Sequence, residues 1–260
     1  MKKPLGKIVA STALLISVAF SSSIASAHQH QHQHPRTWSY SGKTGPEYWG
    51  DLKKEYQMCK IGKNQSPIDI KTNSTQTFNT NLKPFKIKYL GKGYEVINNG
   101  HTIKVKTEGK NCVRIDGIKF KLAQLHFHTP SENTINGKHF PMEAHYVHLD
   151  KNGNITVLAV MYKIGKENKS LNKMLAVLPT KVGEENKVMG NLNPMELLPK
   201  NKAYYRFNGS LTTPPCSEGV RWIVFKTPVE ISQAQYEKMH AVMGTNNRPV
   251  QPINARVILK

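Results

Sequence analysis

The stretch Gln124-Leu-His126-Phe-His128-Thr-Pro-Ser-Glu132, followed by Glu143-Ala-His145-Tyr-Val147, decides how this chain is read. Side chains two apart in a strand share a face. Gln124, His126 and His128 therefore stand in one row, and Glu143, His145 and Val147 in another. Antiparallel pairing of the two segments would bring His145 opposite the His126/His128 pair. Three neutral imidazoles with a fourth position left open form the ligand set of a catalytic zinc site. Gln124 and Glu143, each beside a histidine on its own face, are placed to accept the second ring N–H of a ligand. A lone His-x-His in a strand is as often surface polarity, but Glu132 and Glu143 alongside favour a metal. His139 and His148 are read as structural or exposed.

Working outward, most of the chain reads as short strands. Phe85–Tyr89, Tyr94–Ile97, Thr102–Lys106 and Gly117–Leu122 largely alternate apolar and polar residues between Gly/Asn turns. Val157–Tyr162 is a continuous apolar run, as a strand buried on both faces requires. Leu171, Met174, Leu175 and Leu178 recur at helical spacing before Pro179, which predicts a short amphipathic helix. Ser232 with Gln235 forms a capping box, and Ile231 can staple onto Tyr236; that helix should run to Met243 and stop at Gly244. From Pro35 to Cys59 the chain is aromatic and turn-rich, like a wrapping segment. The expected fold is mainly β (α+β): one large, mostly antiparallel, twisted central sheet with short helices on its surface.

The first 27 residues read as a secretory signal peptide. Lys2, Lys3 and Lys7 precede an apolar stretch from Ile8 to Phe20, which ends in Ala25-Ser26-Ala27. The run is short of the ~20 residues that a membrane span needs, so no membrane span is expected there or later. His28-Gln-His-Gln-His-Gln-His34 has nothing apolar to bury and should be a disordered tail, either a metal trap or simply solvated. Residues 35–260 show no repeat, linker or composition break and are read as a single catalytic domain. The chain carries 37 Lys+Arg against 17 Asp+Glu, a formal net charge of +20. The lysines are scattered and not interleaved with aromatics, so nucleic acid is not an expected partner.

The segments together resemble the α-class carbonic anhydrases, of bacterial secreted or periplasmic type, over nearly the whole length after the leader. The resemblance is carried by Trp38-Ser-Tyr40, Gly45-Pro-Glu-Tyr-Trp49, Asn64-Gln-Ser-Pro-Ile68, Asn98-Asn-Gly-His101, the two histidine segments, Gly209-Ser-Leu-Thr-Thr-Pro-Pro-Cys216, Arg221-Trp-Ile-Val224 and Asn247-Arg-Pro-Val-Gln251, in that order. It implies reversible hydration of CO₂ to bicarbonate and a proton, by attack of zinc-bound hydroxide. His126, His128 and His145 would hold Zn²⁺, supported by Gln124 and Glu143. Thr212, backed by Glu132, would orient the hydroxide, and His101 would carry the proton out. Val147, Val157, Leu211, Val220 and Trp222 would form an apolar wall for CO₂. Thr213 would line the pocket, and Tyr40, Asn99 and Thr213 would hold a water chain. Small anions and sulfonamides are the implied inhibitors.

Spacing alone does not pair the three cysteines. The resemblance implies a Cys59–Cys216 disulfide, suited to an exported protein in the periplasm or outside the cell. Cys112 is left over, either as an idle thiol or as a bond between subunits of a homodimer. There are departures from the family pattern. The stretch between His128 and His145 is short, Asn133 stands where many members have a further histidine, and Lys104 stands where some have asparagine. The rival readings are a cupin-type mixed N/O site with Glu132 as a ligand, a non-catalytic binding module on the same fold, and a zinc store served by the histidine tract.

Overall fold

The computed structural model describes residues 38–260. The expected signal peptide and the His28–His34 tract lie outside the described residues. At the centre is a 13-stranded sheet. Across it run Glu185–Leu192, Lys92–Asn98, Ile103–Glu108, Ile118–His128, Met142–Leu149, Ile155–Ile164, Glu218–Phe225, Tyr204–Ser210, Ile258–Leu259 and Thr77–Phe78. Val229–Ile231 pairs alongside Ile155–Ile164. Asn111–Ile115 pairs with the first half of Ile118–His128, and Lys86–Tyr89 pairs with Asn111–Ile115.

The expected sheet is there and it is mostly antiparallel. The parallel pairings fall where Ile155–Ile164 meets Glu218–Phe225 and Val229–Ile231, and where Ile258–Leu259 meets Thr77–Phe78. The apolar run Val157–Tyr162 is buried throughout, because both its faces are covered. Leu158, Val160 and Tyr162 enter a large core cluster on one side. Val157, Ala159 and Met161 enter a second cluster on the other.

The long strand Ile118–His128 decides the site. Its pairing with Met142–Leu149 shifts register between Leu122 and Gln124, which leaves Ala123 as the extra residue of a β-bulge. Before the bulge, even-numbered Phe120 and Leu122 face the large core. After it, odd-numbered Leu125 and Phe127 do. With strict alternation His126 and His128 would point into that apolar core. The bulge turns them to the opposite face, and the Gly117–Leu122 and Gln124–His128 segments join into one strand.

The capping box at Ser232 is formed and its helix spans Gln233–Met243, ending at Gly244 with φ 62°. Ile231 and Tyr236 belong to the same apolar cluster. The other predicted helix is shorter than the periodicity suggests, Lys169–Leu175, and is capped by the Asn168 side chain. Val177 N–H turns back to Met174 O, so the helix tightens and ends before Pro179 can clash with it. The aromatic segment forms short helical turns around Trp49, packed against Cys59 and Cys216.

Candidate metal site

Register builds the site. His126 lies opposite His145, and His145 opposite Ala159. His128 lies opposite Glu143, and Gln124 opposite Val147. Lys104 faces His126 from the other neighbouring strand. One ligand atom from each of His126, His128 and His145 can be chosen so that all lie within 4.8 Å of one another. Three inward nitrogens at that spacing fit a single divalent ion.

The rings are oriented from behind. His145 Nε2 donates to Glu143 Oε1 at 2.9 Å, which leaves Nδ1 for a metal. His128 Nδ1 donates to the Asn246 carbonyl at 2.8 Å, and its Nε2 is buried without a hydrogen-bond partner. A buried ring nitrogen left open beside two other imidazoles suits a soft-to-borderline cation such as zinc. Burial holds all three imidazoles neutral: His126 and His145 titrate well below the usual histidine range, and His128 below it.

Glu143 is itself fixed. Its carboxylate accepts Glu132 N–H at 2.7 Å, Asn133 N–H at 2.9 Å and Asn133 Nδ2 at 2.8 Å, besides the His145 ring. Asn133 therefore supplies a donor to the carboxylate that orients the His145 ring. Glu132 is fully buried. Its Oε1 accepts Arg248 N–H at 2.9 Å, and Oε2 points toward the cluster, 3.5 Å from His128 Nε2 and 3.8 Å from His145 Nδ1. Burial raises its pKa to about 8, against the Arg248 N–H and the Thr212 hydroxyl, which favour the carboxylate.

The five apolar residues expected beside the metal come together. Val147, Val157, Val220 and Trp222 belong to one buried cluster, and Leu211 packs against it. The Trp222 ring lies edge-on to His145, with centroids 4.9 Å apart. This places an apolar surface against the imidazole cluster.

Other expectations need adjustment. His126 Nδ1 is buried with no hydrogen-bond partner, so the bond expected from Gln124 is not made in this structure. Asn99 Oδ1 accepts the N–H groups of His101 and Thr102, so this atom shapes the turn that carries His101. His101 stacks on Trp38 at 3.8 Å with planes 9° apart. Tyr40 packs edge-on to Trp38 and Trp49, and burial, then the Glu132 charge, raises its phenol pKa well above the usual value. Thr213 is half-buried beside Thr212, and its carbonyl accepts Cys216 N–H. His148 is buried and bonded to the Tyr89 hydroxyl at 2.7 Å, while His139 is exposed.

Cys59 and Cys216 form the disulfide, and Cys112 is free. Cys112 lies opposite Lys88 on one side and Lys121 on the other. A subunit bond there would press like charges together, which favours the idle thiol.

Sequence reasoning gave no role to Arg248, Gln65 or Asn246. Buried Arg248 bonds Gln65 Oε1, Ser66 O and Cys59 O, and stands over the Trp49 ring. It thereby ties the disulfide region to Glu132. Asn246 holds three elements at once: its carbonyl takes the His128 ring, Oδ1 takes Thr129 N–H, and Nδ2 donates to the carbonyls of His101 and Phe127. The only signal for these was the pair of polar motifs around Asn64 and Asn247, which carry no periodicity.

The family model for eukaryotic-type carbonic anhydrase matches residues 44–260. A carbonic anhydrase of Klebsiella pneumoniae is 48% identical over 226 residues, covering 86% of this chain and 90% of that protein. One of Neisseria gonorrhoeae is 49% identical over 225 residues, covering 86% and 87%. The solved α-carbonic anhydrase of Thermovibrio ammonificans, in complex with the inhibitor sulfanilamide, superposes with a TM-score of 0.83 at 58% identity, covering 86% of this chain and 98% of that one.

Proposed function

The chain belongs to the eukaryotic-type carbonic anhydrase family and is a carbonate dehydratase, and from that premise we propose that it hydrates CO₂ at a zinc ion held by His126, His128 and His145. The observation that carries this reading is the cluster of three imidazoles, with ligand atoms within 4.8 Å, set against the Val147–Val157–Trp222 wall. Zinc held by these three residues would supply the Lewis acidity that lets water ionise near neutral pH, an effect for which carbonic anhydrase is itself the reference example.

The chain's own residues do the rest. Neutral rings, kept so by burial, are ready to ligate without first losing a proton. Glu143 and Asn246 fix the ring orientations of His145 and His128. The Thr212 hydroxyl sits close enough to Glu132 to favour its carboxylate; donating its proton there would leave its lone pairs to accept a hydrogen bond from the attacking oxygen and so aim it. The apolar wall suits CO₂, which offers no charge and only weak acceptors. Each turnover leaves one proton to export. An imidazole ordinarily titrates near neutral pH, and His101, half-buried and stacked on Trp38, is the one that takes the proton to buffer.

The Cys59–Cys216 disulfide supports an oxidising compartment, and so an exported protein, periplasmic or extracellular. Among the described residues no helix is long and apolar enough to cross a membrane. The sulfanilamide complex of the Thermovibrio ammonificans relative supports sulfonamides as inhibitors here, and small anions should compete for the same position.

The test is stopped-flow CO₂ hydration followed with a pH indicator, before and after chelator stripping and zinc reconstitution. Fast hydration that is lost on stripping and returns with zinc supports the reading. A folded, zinc-loaded protein with no hydration above the uncatalysed rate overturns it and leaves a binding module on this fold.

A further inference from the structure

Lys86, Arg114 and Lys119 are in cross-strand register on three neighbouring strands, and so are Lys88, Cys112 and Lys121. Residues two apart share a face, so the two rows lie on the same side of the sheet. All five cations are exposed. The face also continues into the metal site: on Ile118–His128 the bulge brings Gln124, His126 and His128 to the side already occupied by Lys119 and Lys121.

Strands lie about 4.8 Å apart, well inside a Debye length of about 8 Å at physiological salt. Like charges opposed across strands destabilise a sheet, and here the chain opposes them in both directions. Nothing of its own relieves this. None of the five forms an ion pair among the described residues. The acids nearby are engaged elsewhere: Glu95 with Lys106, Glu108 with Lys92, Asp116 with Arg206, and Asp150 with Asn152 and Asn154. Residues 1–37 contain no Asp or Glu at all.

We propose that this face docks the protein onto an anionic lipid bilayer. The cations form a patch two residues deep and three strands wide, matching a planar array of phosphate headgroups. No aromatic side chain stands in either row, so stacking on nucleic-acid bases is not offered. The row of Lys88 and Lys121 continues into Leu149, which is 37% exposed and supplies an apolar contact at the patch edge.

The test is partition of the full chain onto vesicles of phosphatidylcholine with one-third phosphatidylglycerol, against pure phosphatidylcholine. Pure phosphatidylcholine measures whatever the apolar Ile8–Phe20 stretch contributes. The variant carries Lys86→Gln, Lys88→Gln, Arg114→Gln, Lys119→Gln and Lys121→Gln. A matched control carries Lys43→Gln, Lys63→Gln, Lys166→Gln, Lys200→Gln and Lys238→Gln, exposed lysines away from these strands. At about fivefold per cation, the face variant should bind anionic vesicles at least about a hundredfold more weakly, and the control within about threefold of the parent. Parent binding should fall more than tenfold between 50 and 300 mM salt. A sharp thermal transition and unchanged CO₂ hydration show that the variant is folded; if the fivefold variant does not fold, Lys88→Gln with Lys121→Gln should still cost about twenty-five-fold. Equal losses in face variant and control would assign the binding to diffuse net charge and overturn the proposal. So would a parent that binds heparin or polyphosphate but not the vesicles, or one that binds neither.

Discussion

Asn133→Ala should separate two tasks that one side chain performs. Asn133 Nδ2 donates to Glu143 Oε1 at 2.8 Å, and its Oδ1 accepts the buried Ile68 N–H at 3.1 Å. Alanine removes both bonds. An orphaned buried N–H costs about 1–3 kcal/mol, and a hydrogen bond to a charged group contributes about 1.5–3 kcal/mol. Some relaxation is expected, so the loss of stability in metal-free protein should be about 2–4 kcal/mol by urea unfolding, with the slope unchanged. Loss of a group that supports a ligand's partner lowers metal affinity by about 10–100-fold, read by competition with a calibrated chelator. Asn133→Asp sharpens the test. It keeps an acceptor for Ile68 N–H but removes the donor and sets a carboxylate against Glu143, so it should harm metal affinity as much as alanine while costing less through Ile68. Unchanged metal affinity in both variants would refute the reasoning, because Glu143 would then be held adequately by backbone N–H groups alone.

The Cys59–Cys216 bridge spans 157 residues, so removing it with Cys59→Ser and Cys216→Ser should cost about 5 kcal/mol on the chain-entropy model; a loss under about 1 kcal/mol in urea unfolding would show that other contacts already hold the ends. His148 is buried and titrates at about 4, against about 6.5 when unfolded, so the unfolded chain gains the extra proton between those values. Stability should therefore fall by about 3 kcal/mol from this group as pH drops from 6.5 to 4. His148→Phe should flatten that part of the urea-midpoint profile, and an identical profile would locate the acid sensitivity elsewhere. Trp38→Ala removes the ring stacked on His101 and should change the buffer dependence of turnover without changing kcat/KM by more than about twofold; an unaltered buffer dependence would mean that the stack does not set the position of the proposed shuttle.

Much of the site is legible in the amino-acid sequence. Ligand chemistry needs particular side chains, and strand geometry imposes a spacing of two. His126, His128, His145, Glu132 and Glu143 therefore announce themselves, as does the capping box at Ser232. The alternation in Lys86–Tyr89 and Ile103–Glu108 is equally local. What could not be read was anything whose cause lies across the chain. Asn246 and Arg248 act on His128 and Glu132 over 118 and 116 residues of sequence. Neither makes a periodic pattern, since a polar residue that satisfies distant groups looks the same as one facing water. The early end of the Lys169–Leu175 helix likewise depends on where Val177 turns.

The sequence by itself determined the donor types, the strand and helix periods and the excess of positive charge, because these follow from side-chain chemistry and nearest neighbours. Only the tertiary structure decided which face each strand presents. The extra residue at Ala123 reverses the alternation and turns the histidines away from the large core. Cross-strand register then gathers otherwise scattered lysines into one face. Both outcomes rest on backbone pairing between strands, in which a shift of one residue exchanges the two faces of the sheet.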